Sequence, residues 1–244
     1  SVGWAQTVPP CTLEITDAET FARDWTVIDV NSDVSANTWA YNDGNAMYTQ
    51  DKSNAADDWL IAPAVTLEAG KAYKVSAYVK HSSTFGSDKQ KIELKIGTAP
   101  TVEGLTTRLV YDESFQSRLF VEKSGTFSPA ESGVFYVGLR CYSESYNGDL
   151  YFQKIVIEEA PVYPAQITDL SIVAGERGAM SATLSWTWPS SDHLGGALSN
   201  LLGAKIYRGT DLVATLDTAT VGGKAGWIDS SIETAGNYTY KVVA

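Results

Sequence analysis

The sequence predicts an all-β chain built as two successive β-sandwiches, and three observations carry the prediction. Apolar and polar residues alternate strictly through Tyr73, Val75, Ala77 and Val79 against Lys74, Ser76, Tyr78 and Lys80, and again through Ile92, Leu94 and Ile96 against Lys91, Glu93 and Lys95. A period of two places one set on a buried sheet face and the other on a wet one. Thirteen Tyr and seven Trp favour a pleated surface, on which flat and β-branched side chains pack well. Pro161 and Pro164, within Glu158 to Ala165, favour extended unpaired backbone and divide the chain. Beyond them, "SATLSWTWP", "GAKIYRGTDLVATL" and "AGNYTYKVVA" are short strand-like runs between turn signals, the pattern of an immunoglobulin-like sandwich.

Taken in order, residues 1–10 hold Trp4, Pro9 and Pro10 without a period and read as an arm leading into a first strand at Cys11 to Ile15. Thr16 or Asp17 can cap one short helical turn ahead of Phe21 and Trp25. Asp43-Gly44, set between Trp39/Tyr41 and Met47/Tyr48, signals a hairpin, since Asp-Gly tolerates the positive φ of a type I′ turn. Asp57 to Val65 reads as a short strand, a kink at a sheet edge where Pro63 has no N–H to donate, and a second short strand. Polar loops are expected over His81 to Lys89 and Gly97 to Thr107, and further strands over Leu119 to Phe127 and Gly133 to Tyr142. Leu150 to Ile157 is the closing strand.

Two family resemblances sharpen this reading. Asp57, Trp59-Leu60-Ile61, Pro63, Leu67, Gly70 and Tyr73 resemble the core motif of the bacterial choice-of-anchor J and cleaved-adhesin modules, which include the adhesin regions of gingipains. Trp25, Asp29, Asn31, Asp33 and Trp39 extend the likeness. It implies a jelly-roll β-sandwich over residues 11–159. Leu170, Leu184, Trp186, Pro189, Tyr207, Arg208, Asp229, Gly236, Tyr238, Tyr240 and Val242 resemble a fibronectin type III module over 164–244, with Trp186 as its core Trp and Tyr238 as its tyrosine-corner residue. The last run would be strand F of such a module, so the second module is expected to be truncated and the chain to belong to a longer protein with further domains.

Charge and motif content exclude several function classes. The formal charge is −11, which repels nucleic acid and anionic membranes, and no apolar run approaches the ~18 residues of a membrane span. Ten acids and two bases precede Trp59. Asp29, Asn31 and Asp33 alternate there in a pattern whose oxygens can converge on Ca²⁺, a hard cation taking about six to eight oxygen ligands. The adhesin resemblance implies calcium as well, and Gln153 on the closing strand can add a carbonyl oxygen. An Asx-rich turn without an ion is the competing reading. The two His, His81 and His193, fall in polar loops and read as solvent-exposed. Asp57 and Asp58 are neighbours on a strand and so point to opposite faces, which disqualifies them as a glycosidase acid and base. With no GxSxG, HExxH, GxGxxG or GxxxxGK[ST] motif, no catalytic residue is assigned. Cys11 and Cys141 either bridge two neighbouring strands or remain two buried thiols.

These readings converge on a non-catalytic, secreted or cell-surface bacterial binding protein of adhesin type, which presents its sandwiches to an extracellular protein. The alternative is a carbohydrate-binding module of a larger surface glycan-processing or peptidase protein. In that case Trp39, Tyr41, Tyr146 and Tyr151, with Tyr142, form an aromatic platform for sugar rings.

Overall fold

Asp17 caps the one α-helix among the described residues: its carboxylate accepts the Thr20 amide at 2.8 Å, and the helix α1 spans Ala18–Asp24 between the strands β1, Cys11–Glu14, and β2, Thr26–Asp29. The computed structural model describes residues 7–32, 37–83 and 87–244, divided into two units, Ser1–Ala160 and Pro161–Ala244. The first unit continues through β3 (Trp39–Asn42), β4 (Asn45–Tyr48), β5 (Asp58–Ile61), β6 (Val65–Leu67), β7 (Ala72–His81), β8 (Gln90–Gly97), β9 (Thr107–Phe115), β10 (Val121–Phe127), β11 (Gly133–Cys141) and β12 (Leu150–Ala160). The turn between β3 and β4 carries positive φ at both Asp43 and Gly44, as the Asp-Gly signal predicts.

Two antiparallel sheets face each other. The first runs β10-β7-β12-β4-β3 with β1 beside β12, and the second β2-β5-β11-β8-β9 with β6 beside β11. Both alternating strands bury the predicted side: Tyr73, Val75, Ala77 and Val79 from one sheet meet Ile92, Leu94 and Ile96 from the other in one core. Each such side chain contributes about 1.5–3 kcal/mol on burial, so truncating Leu94 to Ala would cost about 2–5 kcal/mol.

Several boundaries differ from expectation. β12 runs on through Glu159 and Ala160, paired with Tyr73 and Ala72, because its exposed carboxylates cost a half-wet strand nothing. β2 and β9 were not expected as strands: β2 is four residues long, and β9 departs from strict alternation at two register shifts against β8. β5 is interior, between β2 and β11, rather than at a sheet edge, and Pro63 follows it past the Thr26–Ile61 pair at which β2 begins. His81 is buried, since it lies in an inward-facing row with Leu150, Tyr48 and Trp39. The cysteines lie on opposite sheets, Cys11 on β1 beside β12 and Cys141 on β11, and both are free thiols.

The second unit has β13 (Ser171–Ala174), β14 (Ala182–Thr187), β15 (Ala204–Arg208), β16 (Asp211–Leu216), β17 (Lys224–Asp229) and β18 (Tyr240–Val243). They form two three-stranded sheets, β13-β14-β17 and β16-β15-β18. Leu184, Trp186 and Ile206 fill the space between, with Trp188 edge-on to Trp186 at 5.5 Å. The Tyr238 hydroxyl donates to the Thr234 carbonyl at 2.8 Å. Both units are therefore all-β sandwiches.

Candidate functional site

Antiparallel register aligns one residue from each of five strands across the outer face of the second sheet of the first unit. Ile28 stands opposite Trp59, Trp59 opposite Arg140, Arg140 opposite Glu93, and Glu93 opposite Tyr111. Cross-strand partners project to the same side, so this row puts two aromatics, a guanidinium and a carboxylate on one surface. The next row, Thr26, Ile61, Gly138 and Lys95, has no side chain at Gly138, and Leu105 from the 98–106 loop occupies that space. Leu105, Trp59 and Ile61 make a small second cluster there, which anchors the loop and buries Trp59 under it.

Arg140 organises the polar part. It binds Asp57 through two hydrogen bonds, at 2.7 and 2.9 Å, and reaches Glu93 at 3.5 Å. Its guanidinium lies 5.0 Å from the Tyr142 ring centre and 5.7 Å from that of Trp59. The Asp57 hydrogen bonds raise its pKa further. Tyr111 stacks on Tyr142 with ring centres 6.1 Å apart and planes 24° from parallel, and Arg108 sits 4.8 Å over Tyr111. Burial pushes the Tyr142 phenol up, so it stays neutral. Tyr111 is 52% exposed. The result is a stacked aromatic pair, with Tyr111 exposed, edged by hydrogen-bond donors and acceptors, an arrangement suited to holding a ring-shaped polar ligand.

Asp57 and Asp58 do point to opposite faces. Asp57 joins Arg140 outside, whereas Asp58 is 1% exposed and stands in the inward row with Asp29 and Cys141.

The aromatic residues expected as one platform are spread over several surfaces. Trp39 is in the core, edge-on to Tyr48, with its indole N–H donating to the Asp58 carbonyl. Tyr41 packs against the same core through its register with Ala46. The reason is pleat parity: residues 39 and 41 share a face, and that face is the inner one. Tyr146 is exposed in the loop before β12, and Tyr151 lies on the outer face of the first sheet beside Lys80. Only Tyr142 reaches the Arg140 surface. Tyr111 was not foreseen, and its one sequence signal was alternation through Leu109, Tyr111 and Glu113, which the bulges of β9 obscure.

Of the proposed calcium ligands, Asp29, Asn31 and Gln153 are among the described residues, and these three are not gathered as one set. The Asp29 carboxylate accepts the Ser32 amide at 2.7 Å, as an Asx turn does, and the Asn31 amide donates to the Ala55 carbonyl at 2.8 Å. Asp33 lies outside the described residues. Gln153 is on β12 in the opposite sheet, at a bulge between the inward Phe152 and the outward Lys154, so it does not complete a set with Asp29. Among the described residues no group of three His, Cys, Asp or Glu side chains is placed to hold a metal. The neighbour of Asp29 is Asp58, its cross-strand partner. His193 is exposed, as expected, against Tyr163 in the second unit. Among the described residues no helix is long and apolar enough to cross a membrane.

No family model and no curated protein matches the chain. Among solved structures it is similar to the K3 cleaved adhesin domain of Lys-gingipain from Porphyromonas gingivalis, at 12% identity and a TM-score of 0.46 over 59% of this chain and 97% of that one. It is also similar to a CBM4 structure, at 16% identity and a TM-score of 0.40 over 61% of this chain and 94% of that one. A third similar structure is the C-terminal CBM6 of LamC, a marine laminarinase from Zobellia galactanivorans, at 16% identity and a TM-score of 0.34 over 61% of this chain and 99% of that one.

Proposed function

We propose that the first unit is a non-catalytic, extracellular carbohydrate-binding module whose ligand lies on the outer face of the second sheet. The observation that carries this is the stacked Tyr111–Tyr142 pair, flanked by Arg140 and Arg108. A sugar presents a C–H face to the rings and hydroxyls to the edge, where Asp57 and Glu93 accept and the guanidiniums donate. Asp57 is engaged on both oxygens by Arg140, which fits a group that orients a ligand better than one that moves a proton. The test is a glycan array followed by calorimetry on the best binder. Tyr111→Ala is expected to weaken binding at least tenfold with an unchanged melting temperature. Equal affinity of the variant overturns the reading.

A protein ligand, as for an adhesin, is the second reading, and it draws on the other unit. Val173, Thr183 and Ile228 form a cross-strand row, in which Val173 is 60% and Ile228 59% exposed. The three-plus-three sheet order and the Tyr238–Thr234 bond support a fibronectin type III-like assignment for that unit. An array without hits, together with loss of cell adhesion in Ile228→Lys, would favour the protein ligand.

A further inference from the structure

We propose that the outer face of the first sheet in the first unit is a second binding site, for a carboxylate-bearing sugar ring of the uronate type. It lies on the other side of the sandwich from Tyr111 and does not depend on that site.

The motivation is a checkerboard of lysines and rings. Lys80 stands opposite Tyr151, and two residues earlier on the same strand Tyr78 stands opposite Lys154. In a regular ladder Gln153 would face Tyr78. The β12 bulge between Phe152 and Lys154 inserts one residue and brings Lys154 there instead. The Lys80 ammonium lies 4.5 Å from the Tyr151 ring centre and 4.8 Å from that of Phe120, and the Lys154 ammonium 5.1 Å from that of Tyr78. Met47, opposite Tyr151 on β4, extends the apolar surface.

Among the described residues six of the twelve lysines are ion-paired, and of the six that are not (Lys52, Lys80, Lys89, Lys154, Lys205 and Lys241) only Lys80 and Lys154 lie over aromatic rings. Lys71, Lys74, Lys91, Lys95, Lys123 and Lys224 each have a carboxylate within 4.0 Å. Among the described residues, neither Lys80 nor Lys154 forms such an ion pair, although the protein carries 29 acids against 18 bases. Glu14 opposes Lys154 in register without pairing it, and Glu122, opposite Tyr78, is engaged by Lys74 and Ser76. An aromatic quadrupole attracts a cation but cannot neutralise it. Two ammoniums therefore stand beside three rings without a carboxylate in direct contact.

A ligand that fits needs an anionic group for the ammoniums and a flat apolar face for the rings. A uronate has both on one ring. A neutral sugar lacks the charge, an inorganic anion lacks the face, and a nucleic acid meets the repulsion of the −11 net charge.

The test uses the full chain with galacturonate and glucuronate trisaccharides and their methyl esters, measured by calorimetry at low salt. At least one acid is expected to bind, its ester about tenfold more weakly, and the acid about tenfold more weakly to the Lys80→Gln, Lys154→Gln double variant, while Tyr111→Ala leaves it unchanged. Failure of both acids to bind, an ester that binds equally well, or loss of binding in Tyr111→Ala would each overturn the proposal. If the double variant does not fold, an NMR titration of the wild-type chain decides. Amide shifts over residues 78–80 and 151–154 support the site, and shifts confined to 108–111 and 140–142 refute it.

Discussion

Arg140 grips Asp57 through two parallel hydrogen bonds, Nε to Oδ1 at 2.7 Å and Nη2 to Oδ2 at 2.9 Å, while its guanidinium lies against the Tyr142 ring. The pair is half-buried, so solvent screens part of its strength. Asp57→Ala is expected to cost about 1–2 kcal/mol, the range of a partly screened charged hydrogen-bond pair, and to weaken glycan binding by freeing Arg140 to swing away from Tyr142. Urea denaturation of the full chain measures the first effect. An unchanged midpoint would show that the pair contributes nothing to folding.

Asp229 makes the second unit sensitive to pH at both extremes. It is fully buried, and burial alone would raise its pKa. The Ser231 hydroxyl and amide, the Tyr240 phenol and the Arg208 guanidinium outweigh this and hold it below the usual carboxylate value. A carboxylate with a depressed folded pKa contributes stability that is present above its unfolded pKa, about 3.9, and is lost as pH falls through the folded value. Tyr240 is the converse case. Burial, then the Asp229 carboxylate, push it up to about 12, so its contribution is present below its ordinary value of 10.0 and is lost as pH rises through about 12. Asp229→Asn should cost about 3 kcal/mol, as breaking a buried pair does, and flatten the loss of stability below pH 4. A variant that keeps the wild-type acid limb would refute this account.

The two thiols should titrate separately. Burial raises the pKa of Cys11 and pushes that of Cys141 up to about 12, which suppresses the reactive thiolate. A thiol reagent is expected to modify half-buried Cys11 first and Cys141 only after denaturation. Finding no free thiol in the denatured, unreduced protein would contradict the placement of the two residues on opposite sheets.

Calcium remains a proposal for the corner at Asp29. Like charges directly opposite one another across strands repel, and Asp29 and Asp58 are such a pair. A cation bound there would relieve the repulsion and stabilise the fold by mass action. Added calcium is expected to raise the melting temperature, EDTA to lower it, and Asp29→Asn to remove most of the difference. Identical melting curves in calcium and EDTA would end the proposal.

By itself the sequence determined the all-β class, the inward sides of β7 and β8, the Asp43-Gly44 hairpin and the opposite-face geometry of Asp57 and Asp58. Each is a local consequence of side-chain period or of a backbone angle that few residues tolerate. Tertiary structure decided the sites. Trp39 and Tyr41 looked like platform residues because an aromatic in an alternating run suits either face, and only the pairing of β3 with β4 turned them inward. Tyr111 and Arg140 are 29 residues apart in sequence and come to flank Glu93 in one row because Glu93 on β8 pairs with both their strands. The bulge that replaced Gln153 by Lys154 opposite Tyr78 follows from how β12 must fit β7, and no residue type in "LYFQKIVI" signals it. Period sets which residues share a face within one strand, whereas a binding surface is assembled across strands, and its register is fixed by long-range pairing energies that a single sequence does not display.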